Sequence, residues 1–272
     1  MLKTTLHSDW IVPDWPAPKN IRAFITTRNG GVSQGAHAGA GGTGGMNPGL
    51  RCDDLPSFVQ ANRAVLRKSL PAEPYWLKQV HGTRVLEVNS ESTAPDKEPL
   101  ADGSYTHRRH QVCAVMVADC LPILLTNTGG QVVAAIHAGW RGLASGIVEN
   151  TVATLLEEMA HYRIPESKQG LMAYLGPAIG PQAFEVGQDV YDAFTQFDER
   201  AIACFVPRVG QAGKYLADLF ALARLRLQAI GVKQIYGGGL CTVSSPERFY
   251  SYRRDQVTGR MAAFIWIDEY VK

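Results

Sequence analysis

Seven short segments rich in β-branched or aromatic residues, each bounded by Gly, Pro, Asn or Asp, recur along this chain without regular helical spacing between them. They cover 23–27, 84–88, 112–118, 131–136, 171–175, 234–236 and 262–267. Clean βαβ alternation would demand a doubly wound parallel sheet. Its absence predicts an α/β fold of the α+β type, a mixed β-sheet flanked by helices. Four helical stripes are legible beside the strands. From Leu143, apolar residues at 147, 148, 152, 155, 156 and 159 follow helical spacing. Leu216, Leu219, Phe220, Ala223, Leu227 and Ile230 form another, closed by Gly231 where a left-handed C-terminal cap belongs. A third starts at Pro56, suited to the first helical position, and reaches Leu66. A weaker fourth covers Val190, Phe194 and Phe197. With no internal repeat and no long linker, residues 1–272 are expected to form a single domain.

Residues 35–45, GAHAGAGGTGG, contain a formal G-x-G-x-x-G at Gly39, Gly41 and Gly44. A dinucleotide fingerprint needs a strand before it and a helix after it. Here Met-Asn-Pro-Gly follows and starts no helix, so a mobile surface loop is expected.

Charge and composition exclude several function classes. With 27 basic against 25 acidic residues, the chain offers no electrostatic case for nucleic acid or an anionic membrane. The first twenty residues lack the apolar core of a signal peptide. The most apolar run, 112–125, is broken by Asp119 and Pro122 and is too short to span a bilayer. Five scattered cysteines (52, 113, 120, 204 and 241) form no C-x-x-C pair, which points to a reducing compartment, the cytoplasm.

Three segments share one design. YWLKQVHG ends in His81, VCAVMVADC in Cys120 with Pro122 stopping the strand, and QVVAAIH in His137. Ligands at strand ends can converge in space while lying far apart in sequence. Two imidazoles and one thiolate suit zinc, and three protein ligands leave a fourth position for water or substrate, as in a catalytic site. Such an ion activates its bound water. Copper accepts the same donors, so ligand chemistry alone does not choose between Zn2+ and Cu2+. Taken singly, each histidine is compatible with a structural role and Cys120 with a buried small hydrophobe. A metal-free pair, Cys120 as thiolate and a histidine as base, is the other sharp reading. The deaminase signature H-x-E…P-C-x-x-C is absent.

QVHG at 79–82, ADCLP at 118–122 and HAGWRG at 137–142 resemble the signatures of the bacterial YfiH-type family, also labelled the polyphenol oxidase or laccase-domain family. The resemblance continues through TTRNGGVS (26–33), LGPAIGPQAFEVG (175–187), GGGLCT (237–242) and FYSYRRDQVTGRMAAFIWI (249–267), nearly the whole chain in order. It implies a mixed-sheet fold and a zinc-class metal on His81, Cys120 and His137. It further implies purine nucleoside phosphorolysis (adenosine, inosine, methylthioadenosine) with adenosine deaminase activity. A copper polyphenol oxidase and a hydrolase editing peptidoglycan precursors are the alternatives. One stretch departs from the family pattern. After the Gly-rich insert, MNPGLRCDD carries Pro48, Arg51 and Asp53 where the family has leucine, histidine and glycine, while Asn47 and Asp54 match.

Phosphorolysis needs an anion site, and arginine binds phosphate with a planar fork. Candidates on the matching motifs are Arg28, Arg141, Arg253 and Arg254. If 253 and 254 lie on a strand, they face opposite sides, and Arg253 is favoured. Arg141 is expected near a helix start that reinforces anion binding, and it joins the metal ligands as a catalytic candidate. Asn47, Gln79, Glu185 and Cys241 are the remaining candidate substrate contacts, with Thr242 beside Cys241. Asp119 and Glu185 are candidate proton carriers for deamination. The expected partners are purine nucleosides and phosphate, in a monomer or small homo-oligomer.

Overall fold

A computed structural model describes residues 6–88 and 98–269. Strands β1 (Ile21–Ile25) and β2 (Asn29–Ser33) precede helix α1 (Pro56–Arg67). Then come β3 (Pro74–Tyr75), β4 (Val85–Glu87), β5 (Gly103–Thr106), β6 (Val112–Val117), β7 (Leu121–Asn127) and β8 (Val133–Ala138). Helices α2 (Trp140–Ala144) and α3 (Ile147–His161) lead to β9 (Leu171–Leu175), β10 (Glu185–Gly187) and α4 (Gln188–Thr195). The chain closes with β11 (Phe205–Pro207), β12 (Lys214–Ala217), α5 (Leu219–Ala229), β13 (Gln234–Gly237), α6 (Tyr252–Asp255) and β14 (Met261–Ile267).

Two mixed sheets stack face to face. One has the order β1-β14-β6-β3, the other β13-β9-β7-β8-β5-β4. Between them lie Ile25, Cys113, Val115, Ala263 and Ile265 from the first and Leu124, Val133, Ala135 and Tyr174 from the second. The alternate residues of the same strands face outward into two further cores. Phe24, Ala114, Phe264 and Trp266 pack under Trp10, Trp76 and Leu66 of α1. Leu121, Ile123, Ala134, Ile136 and Ala173 pack under α3, α4 and α5. Strands covered on both faces lose the apolar/polar alternation, which is why 112–117 and 261–267 read as unbroken apolar runs. A third, small sheet, β10-β12-β11, lies beside α4.

The mixed sheet flanked by helices agrees with the sequence expectation, and α1 starts at Pro56 as predicted. Four details differ. The helix expected over 143–159 divides into α2 and α3 at Gly146, whose φ of 98° breaks the spiral. Leu216 belongs to β12, and α5 starts only after Asp218, whose carboxylate accepts from the Ala221 N–H at 2.9 Å. Pro122 does not stop a strand. It lies second in β7, in register with His137, where its carbonyl still accepts from Gly176 at 2.9 Å. The 35–45 loop is not a free surface loop: Ala38 accepts from Arg28 (3.0 and 2.8 Å) and the Ala40 N–H donates to Asn29 (2.8 Å). Its start, 35–36, and its tip, 40–43, are exposed, while 37–39 and 45 are buried.

Phe264 lies at the centre of the outer aromatic core, fully buried, with ring centroids 4.9 Å from Phe24 and 5.8 Å from Trp76. Truncating it leaves a cavity that neighbours on two strands cannot fill. Phe264→Ala is expected to lose about 3–5 kcal/mol of stability in denaturant titration; a loss under about 1 kcal/mol contradicts this packing.

Candidate metal centre

The site opens where the two sheets part. β6 belongs to one sheet and β7 to the other, so the turn 118–120 crosses the gap and carries Cys120 at its far end. Asp119 takes a φ of 90° there, a conformation an L-residue holds only when its surroundings compel it. Its carboxylate accepts from the Thr242 hydroxyl and the Arg253 N–H, both at 2.6 Å, and its carbonyl accepts from Ile179 at 2.8 Å. His137 is the penultimate residue of β8. Its position has the same parity as Val133 and Ala135, so the imidazole faces the gap between the sheets.

His81 is not at a strand end. It lies in the loop before β4 with a φ of 61°. The residue that fixes this loop is Asp102, fully buried just before β5. Its carboxylate accepts from three successive backbone N–H groups: Val80 at 3.1 Å, His81 at 2.8 Å and Gly82 at 2.7 Å. The same Oδ1 accepts from His137 Nδ1 at 2.9 Å. With Nδ1 occupied, His137 presents Nε2 to the gap, which is how carboxylates orient metal-ligating histidines. Gly139 completes the approach: a Cβ there would lie 2.7 Å from the His81 ring and 3.0 Å from Cys120 Sγ.

The ligand atoms of His81, Cys120 and His137 lie within 4.8 Å of one another. Cys120 Sγ is 3.6 Å from His81 Nε2, and the two imidazole centroids are 4.8 Å apart. Burial would raise the Cys120 thiol, but His137 and then His81 outweigh it and draw it from 9.0 to about 6. Burial would lower His137, but Cys120 and Asp102 hold it up at about 9. Asp102 is shifted upward by burial and, more strongly, downward by His137 and the Gly82 N–H, so it stays a carboxylate. A thiolate and two imidazoles converging on one point fit a borderline divalent ion of the zinc class. This is the only such His/Cys/Asp/Glu group among the described residues.

The triad forms part of the wall of an open cavity of about 620 Å3. Of the other sequence candidates, Arg141, Arg253, Gln79 and Asp119 line it. Arg141 stacks on Trp140 with its guanidinium 4.4 Å from the ring centroid. It sits in the five-residue α2, too short to supply the helix-end field expected of a long helix. Arg253 and Arg254 lie on the helix α6, not on a strand. Arg253 reaches the carbonyl of Glu185 at 3.1 Å, whereas Arg254 is held by Thr242, Val243 and Phe249 carbonyls and by Asp255. Both ends of the Gln79 amide are taken by the backbone of Met116 at 2.8 Å.

Arg28, Asn47, Glu185 and Cys241 are not among the lining residues. Arg28 secures the Gly-rich loop through Ala38 and Pro246. Asn47 is fully buried and knits Gly49, Asp54 and Arg260 together. The Glu185 carboxylate pairs with Arg208, and Cys241 accepts from the Gly180 N–H. Sequence reasoning passed over Asp102, Gly139, Lys78 and Arg260. Asp102 is a lone aspartate at a strand entrance whose partners are 20–22 and 35 residues away, and no local spacing announces it.

Removing the Asp102 charge removes the anchor of two ligands at once. Asp102→Asn is expected to weaken metal binding about 10–100-fold in competition with a chromophoric chelator. Affinity equal to the wild type contradicts the orienting role.

Known proteins match this arrangement over almost the whole length. The family described as "Multi-copper polyphenol oxidoreductase laccase" matches residues 22–268. Purine nucleoside phosphorylase YfiH of Escherichia coli is 47% identical over 262 residues, covering 96% of this chain and 99% of that protein. The purine nucleoside phosphorylase of Haemophilus influenzae is 45% identical over 260 residues, covering 95% and 99%. Among solved structures, a Neisseria meningitidis protein superposes with a TM-score of 0.84 at 45% identity, covering 96% of this chain and 100% of that one. YlmD from Geobacillus stearothermophilus does so at 0.77 and 30%, covering 93% and 94%. The chain belongs to this laccase-like, YfiH-type family of enzymes.

Proposed function

We propose that residues 1–272 act as one metalloenzyme domain that phosphorolyses purine nucleosides (adenosine, inosine and methylthioadenosine), with adenosine deamination as a second activity of the same centre. The observation that carries this reading is the juxtaposition, in one cavity of about 620 Å3, of a His/Cys/His triad with Arg141 and Arg253. Neither arginine has a carboxylate partner among the described residues. A cavity of this size holds a nucleoside with a phosphate beside it. The names of the relatives support the same activity.

His81, Cys120 and His137 would hold the ion, which supplies Lewis-acid polarisation when bound. Zinc suits the donor set best, and copper is the alternative occupant. Arg141 and Arg253 bind the phosphate with planar forks and hold its charge against the sugar. Trp140, Phe184 and Leu219 offer an apolar surface for the purine and keep water from it. Gln79, with its amide fully used on Met116, keeps the His81 loop in register with β6. Deamination has narrower support, since Asp119 and Glu185 both spend their carboxylates on other partners.

One observation favours a second reading. A thiol drawn down to about 6 with His81 Nε2 3.6 Å away is also the pairing of a cysteine nucleophile. A multi-copper oxidase would need several clusters of ligands, and the described residues hold one. Five free cysteines fit the reducing cytoplasm as the place of action.

Metal-quantified protein incubated with inosine or adenosine is expected to release hypoxanthine or adenine only when phosphate is present, and Cys120→Ala to release neither. Base release from fully metal-depleted protein would favour the cysteine nucleophile instead. Arg141→Ala and Arg253→Ala each remove charged hydrogen bonds of about 1.5–3 kcal/mol, equivalent to about 10–100-fold. Steady-state kinetics should show that rise in the KM for phosphate, with the KM for inosine little changed; an unchanged phosphate KM in both variants contradicts the assignment.

A further inference from the structure

Phosphorolysis of a neutral nucleoside needs one anion site, yet cations reach this cavity from two directions. Arg141 and Arg253 come from α2 and α6, beside His137 and Asp119. Lys78 and Arg260 line the same cavity from the loop after β3 and the residue before β14, on either side of β6. Gln79 bonds to the backbone of Met116 and so places its neighbour Lys78 on one side of the β6 end. Arg260 immediately precedes β14, whose first residue, Met261, is in register with Val117 on the opposite side of β6. The two cations therefore flank one strand, about 10 Å apart at the backbone, two strand spacings. A Lys and an Arg side chain are together long enough to span that gap with a phosphate-sized anion between them.

Arg260 is braced for such a task. Its backbone N–H donates to Asn47 at 2.9 Å, and its Nη1 donates to the Thr258 and Gly259 carbonyls at 2.9 and 3.0 Å. Among the described residues neither Lys78 nor Arg260 has a carboxylate within ion-pair distance. Arg51, another lining cation, is already paired with Glu98, which it shares with Arg63.

We propose that Lys78 and Arg260 form a second anion subsite that takes the 5′-phosphate of a purine nucleoside 5′-monophosphate. The proposal rests on the phosphorylase reading of the same cavity. In that reaction the bond from C1′ to the purine nitrogen breaks and a bond from C1′ to a phosphate oxygen forms. The electron pair leaves on the purine, which takes up the proton that the phosphate loses, giving the free base and ribose 1,5-bisphosphate. The attacking phosphate approaches the face of the ribose opposite the base, whereas C5′ lies on the base's own face. Nucleophile and 5′ group must then be held from opposite sides, which calls for two separate sets of cations, and four cations without a carboxylate partner among the described residues line this cavity. The pairs also screen two dianions that would otherwise repel across a single sugar.

The test is calorimetric binding to full-length, metal-loaded protein of inosine 5′-monophosphate, inosine and inorganic phosphate, each alone. The nucleotide is expected to bind at least about tenfold more tightly than inosine, as one charged hydrogen bond gives. Lys78→Met, a change at an exposed side chain, should erase that gap while leaving inosine and inorganic phosphate affinities as they were. Equal binding of nucleotide and nucleoside overturns the proposal, and so does a gap that survives in Lys78→Met, which would mean that the metal holds the phosphate. Weakened binding of inorganic phosphate in Lys78→Met also overturns it, by placing the co-substrate at this pair. Hypoxanthine release from inosine and phosphate, followed in the same preparations, reports separately on the phosphorylase reading.

Discussion

Asp102 accepts from three consecutive N–H groups of the 80–82 loop and from His137 on β8, all within 3.1 Å. A fully buried carboxylate is tolerated only when its lone pairs are used, and here four donors use them. Taking away the charge or the donors would leave an uncompensated buried group, at a cost of about 3–5 kcal/mol. His81 and His137 are therefore not placed independently. One anion sets the left-handed backbone of His81 and the orientation of His137 together. Cys120 meets them because the crossing turn between the sheets is fixed by a second aspartate, Asp119.

That second aspartate extends the order outward. By accepting from the Arg253 N–H it ties α6 to the turn that carries Cys120. The part of the cavity wall that carries Arg253 thus shares a support with the candidate metal ligands. Charge follows the same plan: cations predominate on the cavity wall, and the one carboxylate among the lining residues, Asp119, is spent on the Thr242 hydroxyl and the Arg253 N–H. A site arranged this way attracts anionic substrate without burying an unpaired acid against it.

The strands, the flanking helices and the three candidate ligands were legible in the sequence, for different reasons. The 112–117 and 261–267 runs carry β-branched or aromatic residues without polar interruption, so they could only be covered strands. His81, Cys120 and His137 stand in motif strings whose neighbours, such as Gly139, are demanded by close approach. Arg28, Glu185 and Cys241 stand in equally recognisable strings, and Asn47 matches within the stretch that departs from the pattern, yet their contacts hold loops together. A motif marks where substitution is costly and does not separate chemistry from support. Asp102, Lys78 and Arg260 were illegible because their meaning comes from strand pairing over tens to hundreds of residues, as between Arg260 and Asn47. The break between α2 and α3 turned on a single positive φ at Gly146, which an uninterrupted apolar stripe conceals.

The central claim is that Asp102 brings two imidazoles and one thiolate onto a single ion. X-ray absorption at the metal K-edge of stoichiometrically loaded protein tests it most directly. The account predicts one sulfur at about 2.3 Å and two imidazole nitrogens at about 2.0–2.1 Å, with the sulfur absent in Cys120→Ala. A shell of oxygen and nitrogen alone in the unsubstituted protein, or a sulfur that persists in that variant, would contradict it.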